Sequence, residues 1–188
     1  MALIAEWNGY GASWAAQSED ANVSAGSVAA GASLYDLLLE AISAPDYAFG
    51  AYSTATGAAE AVTENQYFSV TVTADAGYEL DLSSLNFDAA RGGSSTPRGY
   101  VVRSSVDGYA SNIASADIGT AYPTWTPVSI DLTGASYQNL AGITFRIYAY
   151  APGTSYTVAF DNIEINGSVV ATGEPPSGRI MTLNRKIW

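Results

Sequence analysis

The chain contains no cysteine and no histidine among its 188 residues. Without cysteine it can form neither a disulfide nor a thiolate zinc site, and it has no cysteine nucleophile. Without histidine it cannot build a Ser-His-Asp triad, and it lacks the usual ligand of zinc and copper sites. A chain of this length, about one domain, can bury roughly 70% of its unfolded surface and needs no such cross-link to be stable.

Basic residues are also scarce, because seven stand against eighteen acidic residues and the net charge is −11. Such a surface repels a phosphate backbone, so we expect no nucleic-acid partner. The charge is unevenly placed. Residues 1–178 hold four basic and all eighteen acidic residues, a net −14, whereas residues 179–188 hold three basic residues and no acid, a net +3.

Long apolar runs are absent as well. No stretch approaches the ~18 consecutive apolar residues of a membrane-spanning helix, so we expect no membrane span. The start, Met1–Trp7, lacks the basic residues of a signal peptide and reaches Glu6 before an apolar run can form. Two explanations stay open: the protein is used without Sec export, or an export signal has been removed.

Alternating apolar and polar residues are abundant. The alternation is regular over Phe68–Thr73, Val128–Leu132 and Ile143–Tyr148, and turn-forming pairs such as Asp107-Gly108 and Pro152-Gly153 separate such segments. A period of two gives a strand one buried and one solvated face, which is typical of antiparallel sheets. Many short strands between turns indicate a β-sandwich.

We therefore predict an all-β fold, an antiparallel two-sheet jelly-roll sandwich with one short helix and an extended C-terminal tail. The predicted core contains Phe68, Val70, Ile130, Phe145 and Ile147. The predicted strands cover residues 3–7, 47–56, 60–73, 84–89, 99–105, 113–118, 127–132, 142–150 and 156–165.

Two local features qualify this pattern. Ser33–Asp36 has the form of a capping box, and the spacing of the leucines that follow predicts a helix over Leu34–Ile42, ended by Pro45. A strand-and-loop excursion with buried leucines is the alternative there. The apolar phase slips between Phe160 and Ile163, which predicts a bulge at Asp161-Asn162.

The chain divides into three parts. The sandwich covers residues 1–172, a proline-containing linker covers 173–178, and a basic amphipathic docking tail covers 179–188. The tail residues with a predicted docking role are Arg179, Ile180, Leu183, Arg185, Lys186, Ile187 and Trp188.

Aromatic residues suggest a binding surface, since the chain has 13 tyrosines and four tryptophans. If Phe145 and its apolar neighbours face inward, Arg146, Tyr148 and Tyr150 share the outer face of their strand. Aromatic faces and an arginine suit sugar stacking or a protein interface. Loops could add rings to this glycan or partner surface; the predicted additions are Tyr109, Tyr122 and Trp125. The alternative is that these rings cover the ends of the sandwich.

Several segments resemble the jelly-roll domains of bacterial secreted proteins, including many that carry a PEP-CTERM sorting tail. The resemblance extends over about residues 45–168. The segments that carry it are Asn65–Val70, Ala76–Phe87, Val102–Tyr109, Ile143–Tyr148 and Phe160–Ile163. It implies the β-jelly roll, a fold that serves carbohydrate-binding modules, adhesins and viral capsid proteins alike. The chain departs from the secreted family in lacking both its leader and its sorting tail.

The resemblance also implies a metal site. Jelly-roll carbohydrate-binding modules often hold a structural calcium ion with one acid on the last strand and one near the first, which points here to Asp161 and Glu6. A hydrogen-bonded turn is the alternative role for Asp161. No spacing singles out a pair of catalytic carboxylates, so we predict no enzymatic activity and no cofactor other than this calcium.

Two functional hypotheses follow. Ser177–Met181 is similar to the tail ends of some tailed-phage structural proteins, and with the charged tail it suggests a virion-surface decoration or head-fibre-like component bound to neighbouring subunits or to itself. The alternative is a secreted carbohydrate-binding or extracellular-matrix domain located outside the cell.

The virion hypothesis predicts the effect of removing the tail. Deleting residues 179–188 is expected to leave a folded, soluble monomer that no longer enters particles or oligomers, with Trp188→Ala giving much of the loss. A fully buried aliphatic side chain contributes about 1.5–3 kcal/mol, and charge steers the tail onto an acidic surface. Reconstitution over a salt series measures this; equal assembly by the truncated chain would contradict it.

Overall fold

A computed structural model describes residues 2–43, 46–92, 97–121, 123–151 and 158–173. Within them lie thirteen β-strands, one α-helix and three short 3-10 turns. The strands are β1 Ala2–Trp7, β2 Ser18–Glu19, β3 Val23–Ala25, β4 Ala29–Ala30, β5 Tyr35–Ser43, β6 Asp46–Tyr52, β7 Tyr67–Ala74, β8 Tyr78–Arg91, β9 Gly99–Ser104, β10 Ala114–Asp117, β11 Thr126–Asp131, β12 Gly142–Tyr150 and β13 Val158–Ala171. The helix is α1, Ala58–Thr63, and the 3-10 turns cover Tyr10–Ala12, Ser105–Asp107 and Ala135–Tyr137.

The strands form two sheets. Sheet I has the order β11-β8-β13-β1-β2, with β6 paired to β13 and β5 to β6, and sheet II has the order β10-β9-β12-β7-β3, with β4 paired to β7. All the strand pairs in these two sheets are antiparallel. The predicted two-sheet sandwich with one short helix is confirmed. No helix in the described part of the chain is long and apolar enough to span a membrane.

The core lies between the two sheets, where the inward faces of the alternating strands meet. The five predicted core residues all lie in one buried cluster: Phe68, Val70, Ile130, Phe145 and Ile147. Trp7 and Phe160 from sheet I are fully buried in the same cluster. Period-two alternation therefore identified the inward faces correctly.

The predicted bulge is confirmed. The register between β13 and β8 shifts between Asp161 and Glu164, and Asn162 adopts a left-handed backbone with φ 48°. Asparagine tolerates this conformation better than most residues. The extra residue allows Phe160 and Ile163 both to face the core despite their odd spacing.

The helix prediction over Leu34–Ile42 is wrong, and the strand of the alternative is confirmed; the predicted burial of its leucines lies outside the described side chains. Residues 35–43 form β5, which pairs with β6 from Tyr35↔Tyr52 to Ser43↔Asp46. A short apolar run fits either period, and here pairing with a neighbouring strand satisfies the backbone. The helix lies instead at Ala58–Thr63, where alanines favour helix, and it replaces the first four residues of the strand predicted over 60–73.

Helix α1 packs on the outer face of sheet II. Ala61 is buried with Val101, Tyr148 and Tyr150 in a second, smaller apolar cluster outside the main core. Gln66, which follows α1, holds the two ends of the helical segment together. Its buried side chain accepts hydrogen bonds from Ser53 Oγ and from the Thr54 backbone N–H (3.0 Å), both of which precede α1. The part of this outer face around Tyr148 and Tyr150 is therefore covered by the protein itself.

Gly99 is required by the close approach of Tyr150. A Cβ atom at Gly99 would collide with the Ala116 carbonyl oxygen and the Tyr150 hydroxyl. That hydroxyl donates to Asp117 Oδ1 (2.7 Å), so the ring cannot easily move away. Burial, with help from the bond to Asp117, raises the pKa of Tyr150 well above its ordinary value.

We predict that Gly99→Ala destabilises the fold by about 1–3 kcal/mol through overpacking. Gly119→Ala is the matched control, since no described atom lies within 4 Å of its Cβ position. Urea unfolding of the two variants measures the difference. Equal free energies of unfolding would show that the Tyr150 packing can adjust at no cost.

Candidate functional site

The predicted glycan or partner surface is divided by the fold. Arg146 and Tyr109 lie together on the outer face of sheet II, whereas Trp125 packs against Ala48 and Ala159 on sheet I. Tyr122 and the predicted tail residues 179–188 lie outside the described residues.

Tyr148 and Tyr150 share the outer face with Arg146, as alternation predicted, but they are not open to a ligand. Their exposed fractions are 2% and 4%, because α1 covers them. The prediction of an exposed aromatic surface is wrong for these two rings, which stabilise the contact between α1 and sheet II.

Arg146 lies between two tyrosine rings. Its Cζ atom is 4.3 Å from the ring centroid of Tyr67 and 3.7 Å from that of Tyr109. Both distances are within the range of cation–π attraction. Tyr67 also meets Tyr148 edge-on at 5.2 Å, so its ring is fixed from a second side. The guanidinium is therefore held in one position rather than moving freely over the sheet.

A second arginine lies beside the first. Arg103 on β9 is the register partner of Arg146 on β12. Its Nε donates to Asn112 Oδ1 (2.7 Å) and its Nη1 donates to the Tyr109 carbonyl oxygen (2.8 Å). Tyr109 therefore contacts both arginines, one through its ring and one through its backbone. We name the group Tyr67, Arg103, Tyr109 and Arg146 the arginine–tyrosine platform.

Tyr109 reaches this position through an unusual backbone. It has φ 64° and directly follows Gly108, which has φ 69°. The left-handed conformation is a strained one for a bulky residue, and such strain is concentrated at functional sites. The Tyr109 N–H donates to the Ser104 carbonyl oxygen (2.9 Å), which closes the turn.

Asp107 holds the same turn from the other side. Its carboxylate accepts hydrogen bonds from the backbone N–H groups of Ala110 (3.1 Å) and Ser111 (2.9 Å). Although partial desolvation acts in the opposite direction, the bonds from Ser111 and Ala110 lower the pKa of Asp107. The stabilisation is present above the ordinary aspartate pKa of about 3.9 and is lost as pH falls through the lower value of the folded state.

The platform carries positive charge without a carboxylate partner. Among the described residues, no ion pair joins Arg103 or Arg146 to an acid. Desolvation opposes the charge of Arg146, but the hydrogen bond with Tyr148 and the interactions with Tyr67 and Tyr109 outweigh it and raise the pKa of the guanidinium.

Hydroxyl groups continue the surface beyond the platform. Ser69 is the register partner of Arg146 on β7, and Thr71 and Thr144 join their Oγ1 atoms at 2.8 Å on the next row. All three side chains are half-buried. The outer face of sheet II thus offers guanidinium, aromatic and hydroxyl groups side by side.

The outer face of sheet I has a different chemistry. A groove of about 530 Å³ lies there, and the polar residues that line it are Asn86, Asp88, Ser129, Asn162 and Glu164. Many of these groups satisfy one another, since Ser129 Oγ donates to Asn86 Oδ1 (2.8 Å) and Asn162 Nδ2 donates to Asp88 Oδ2 (2.9 Å). Neither tyrosine of the platform contributes to it.

The two predicted calcium ligands lie on sheet I. Asp161 is buried at the bulge and accepts a hydrogen bond from the Asn162 N–H (2.8 Å), and Glu6 is the register partner of Glu164. No group of three or more acidic side chains in the described ranges is arranged to hold a metal ion. Calcium binding by Asp161 and Glu6 stays a prediction.

Sequence reasoning missed Tyr67 and Arg103. Tyr67 precedes the inward Phe68, and Arg103 follows the inward Val102, so alternation places both on outer faces. Alternation does not predict which strands are neighbours, nor the register that places β7 and β9 on the two sides of β12. That register depends on contacts between residues distant in sequence.

No model of a known protein family matches the sequence, and no curated protein matches it. Among solved structures, the chain is similar to a family 11 carbohydrate-binding module from Clostridium thermocellum (16% identity, 89% of this chain and 98% of that chain, TM-score 0.44). It is also similar to the K1 cleaved adhesin domain of Lys-gingipain from Porphyromonas gingivalis (14% identity, 87% of this chain and 97% of that chain, TM-score 0.44). A third similar structure is an arabinose-bound GH51 α-L-arabinofuranosidase (14% identity, 87% of this chain and 26% of that chain, TM-score 0.47).

These likenesses are low. With identities of 14–16% and TM-scores below 0.5, they establish neither a shared function nor a shared site. None of the three is a virion component, so they add no support to the phage resemblance.

The strained turn at Tyr109 gives a test of the platform's construction. We predict that Tyr109→Gly is more stable than Tyr109→Ala by about 1–2 kcal/mol, because glycine adopts the left-handed backbone without a Cβ penalty. The usual order at ordinary positions is the reverse. Urea unfolding of the two variants measures it, and an alanine variant at least as stable as the glycine variant would contradict the strained turn.

Proposed function

We propose that the protein is a non-enzymatic polysaccharide-binding domain that acts outside the cell, and that the arginine–tyrosine platform is its binding surface. The observation that carries the proposal is the fixed position of Arg146 between Tyr67 and Tyr109. A guanidinium and phenol hydroxyls that are already ordered lose little entropy when they bind a ligand.

The chemistry of the face suits a sugar chain. Sugars present hydroxyl groups along their edges and apolar C–H groups on their faces. The sugar hydroxyls would pair with the hydroxyls of Ser69, Thr71 and Thr144 and with the guanidinium groups. The apolar C–H faces would pack on the aromatic rings. These polar side chains lie on three neighbouring strands, β9, β12 and β7, so several sugar units of one chain could contact them at once.

A protein partner fits this face less well. Stable protein interfaces place a desolvated apolar centre inside a polar rim. Among the described residues, the exposed large hydrophobic side chains are Tyr10, Tyr35, Val106 and Val170, and none of them belongs to the platform. Only Val106 lies near it in sequence.

The virion role suggested by the charged tail finds no support among the described residues. The residues that carry that role, 179–188, lie outside them. The platform lies within the described residues, and it is the reason to propose the alternative that the sequence left open, a carbohydrate-binding domain.

The proposal predicts binding to a polysaccharide array at millimolar to micromolar Kd. Tyr109→Gly and Arg146→Gln are expected to weaken that binding at least about tenfold, because the first removes one of the two rings and the second removes the guanidinium between them. A tenfold loss corresponds to about 1.4 kcal/mol. Melting curves confirm that each variant is folded.

The matched control is Tyr10→Ala, which removes a tyrosine ring that is 56% exposed in the loop after β1. It is expected to bind as the wild type does. A silent array, or equal losses in Tyr10→Ala and Tyr109→Gly, would reject the platform as a glycan site.

A further inference from the structure

We propose that the sugar recognised by the platform carries a carboxylate, as a uronic acid does, and that Arg103 and Arg146 bind that carboxylate together. This inference rests on the proposed function, because it names the class of sugar that the same surface takes. It goes beyond the proposed function, because hydrogen bonds to the hydroxyls of a neutral glycan do not require two cations side by side.

The placement of the two arginines is the first observation. They are direct register partners on β9 and β12, and both side chains lie on the outer face of sheet II. Like charges directly opposite each other on neighbouring strands are destabilising. A single anion between the two guanidinium groups would remove that repulsion.

The charge around them is the second observation. Residues 1–178 hold eighteen acidic residues and only four arginines, yet in the described residues neither Arg103 nor Arg146 is paired with a carboxylate. The acid nearest in sequence to Tyr109, Asp107, uses its oxygens on Ala110 and Ser111. The platform thus keeps its positive charge on a strongly acidic protein.

The available donors are the third observation. Arg103 uses Nε and Nη1 on Asn112 and Tyr109, which fixes the plane of the group and leaves Nη2 for a ligand. The Cζ atom of Arg146 lies over the rings of Tyr67 and Tyr109, which hold the guanidinium in place, and no carboxylate among the described residues takes its N–H groups. Fixed guanidinium forks match the planar geometry of a carboxylate.

The test compares four probes by isothermal titration calorimetry: an oligosaccharide of galacturonic acid, its methyl ester, a sulfated galactan oligosaccharide and a neutral galactan oligosaccharide. The ester keeps the sugar and removes the charge. We expect the acid to bind at least about tenfold more tightly than the ester and the neutral chain, as charge-assisted hydrogen bonds require. We also expect that advantage to shrink as salt rises.

Variants locate the effect. Arg103→Gln is expected to abolish the preference for the acid, because it weakens binding of the acid at least about tenfold more than it weakens binding of the ester. Arg91→Gln is the control with the same change of net charge, because Arg91 lies on sheet I, where its Nε donates to the Gly119 carbonyl oxygen (3.3 Å). It is expected to keep the preference intact.

Each other outcome overturns the inference in a way that separates it from the proposed function. If acid and ester bind equally and both are lost in Tyr109→Gly, the platform is a glycan site without charge selectivity. If the sulfated probe binds more tightly than the acid, the recognised group is sulfate. If no acidic probe binds, or if Arg91→Gln and Arg103→Gln lose the preference equally, the carboxylate site is rejected.

Discussion

The arrangement of the whole domain depends on a run of aromatic rings between the two sheets. The rings follow one another at centroid distances of 5.2–6.5 Å, and the run is Trp14, Phe49, Phe68, Phe160, Phe87 and Tyr100. Strands of sheet I supply Phe49, Phe87 and Phe160, while sheet II supplies Phe68 and Tyr100. Each such pair adds about 0.5–1.5 kcal/mol beyond its burial, so the run fixes how the sheets face each other. With the inner faces committed to apolar packing, a polar function must lie on an outer face or in the loops beside it.

The two outer faces are then distinguished by what covers them. On sheet II, helix α1 buries Tyr148 and Tyr150 and leaves the rows of Arg146 and Thr144 outside its contact. The same contact fixes Tyr67, which touches Tyr148 at its edge and Arg146 at its face. The helix is therefore part of the site's support although none of its side chains belongs to the platform. The packed contact between α1 and the sheet thus supports the position of the platform beside it.

Sequence patterns predicted the parts of the fold that local alternation determines, and they failed where distant contacts decide. Phe145 inward and Arg146 outward follow from a period of two, and the bulge at Asp161-Asn162 follows from a slip in the same period. The segment around Leu37 fits two periods, and only its pairing with β6 makes it a strand. For the site, Arg146 and Tyr109 could be predicted as surface groups, but the partnership with Arg103 depends on a register between strands more than forty residues apart in sequence.

A protein of net charge −11 is expected to repel an anionic ligand, but this repulsion depends on the distance between the acidic side chains and the ligand. At physiological ionic strength the Debye length is about 8 Å, so exposed acids elsewhere on the sandwich are largely screened from a ligand at the platform. The two guanidinium groups act at hydrogen-bond distance, where screening is small. The remote acids still oppose the approach of a long, uniformly charged chain, because its whole length experiences their field. The same balance therefore favours a glycan whose carboxylates are spaced along otherwise neutral sugars, so that one charge meets the platform while the rest of the chain meets hydroxyl groups.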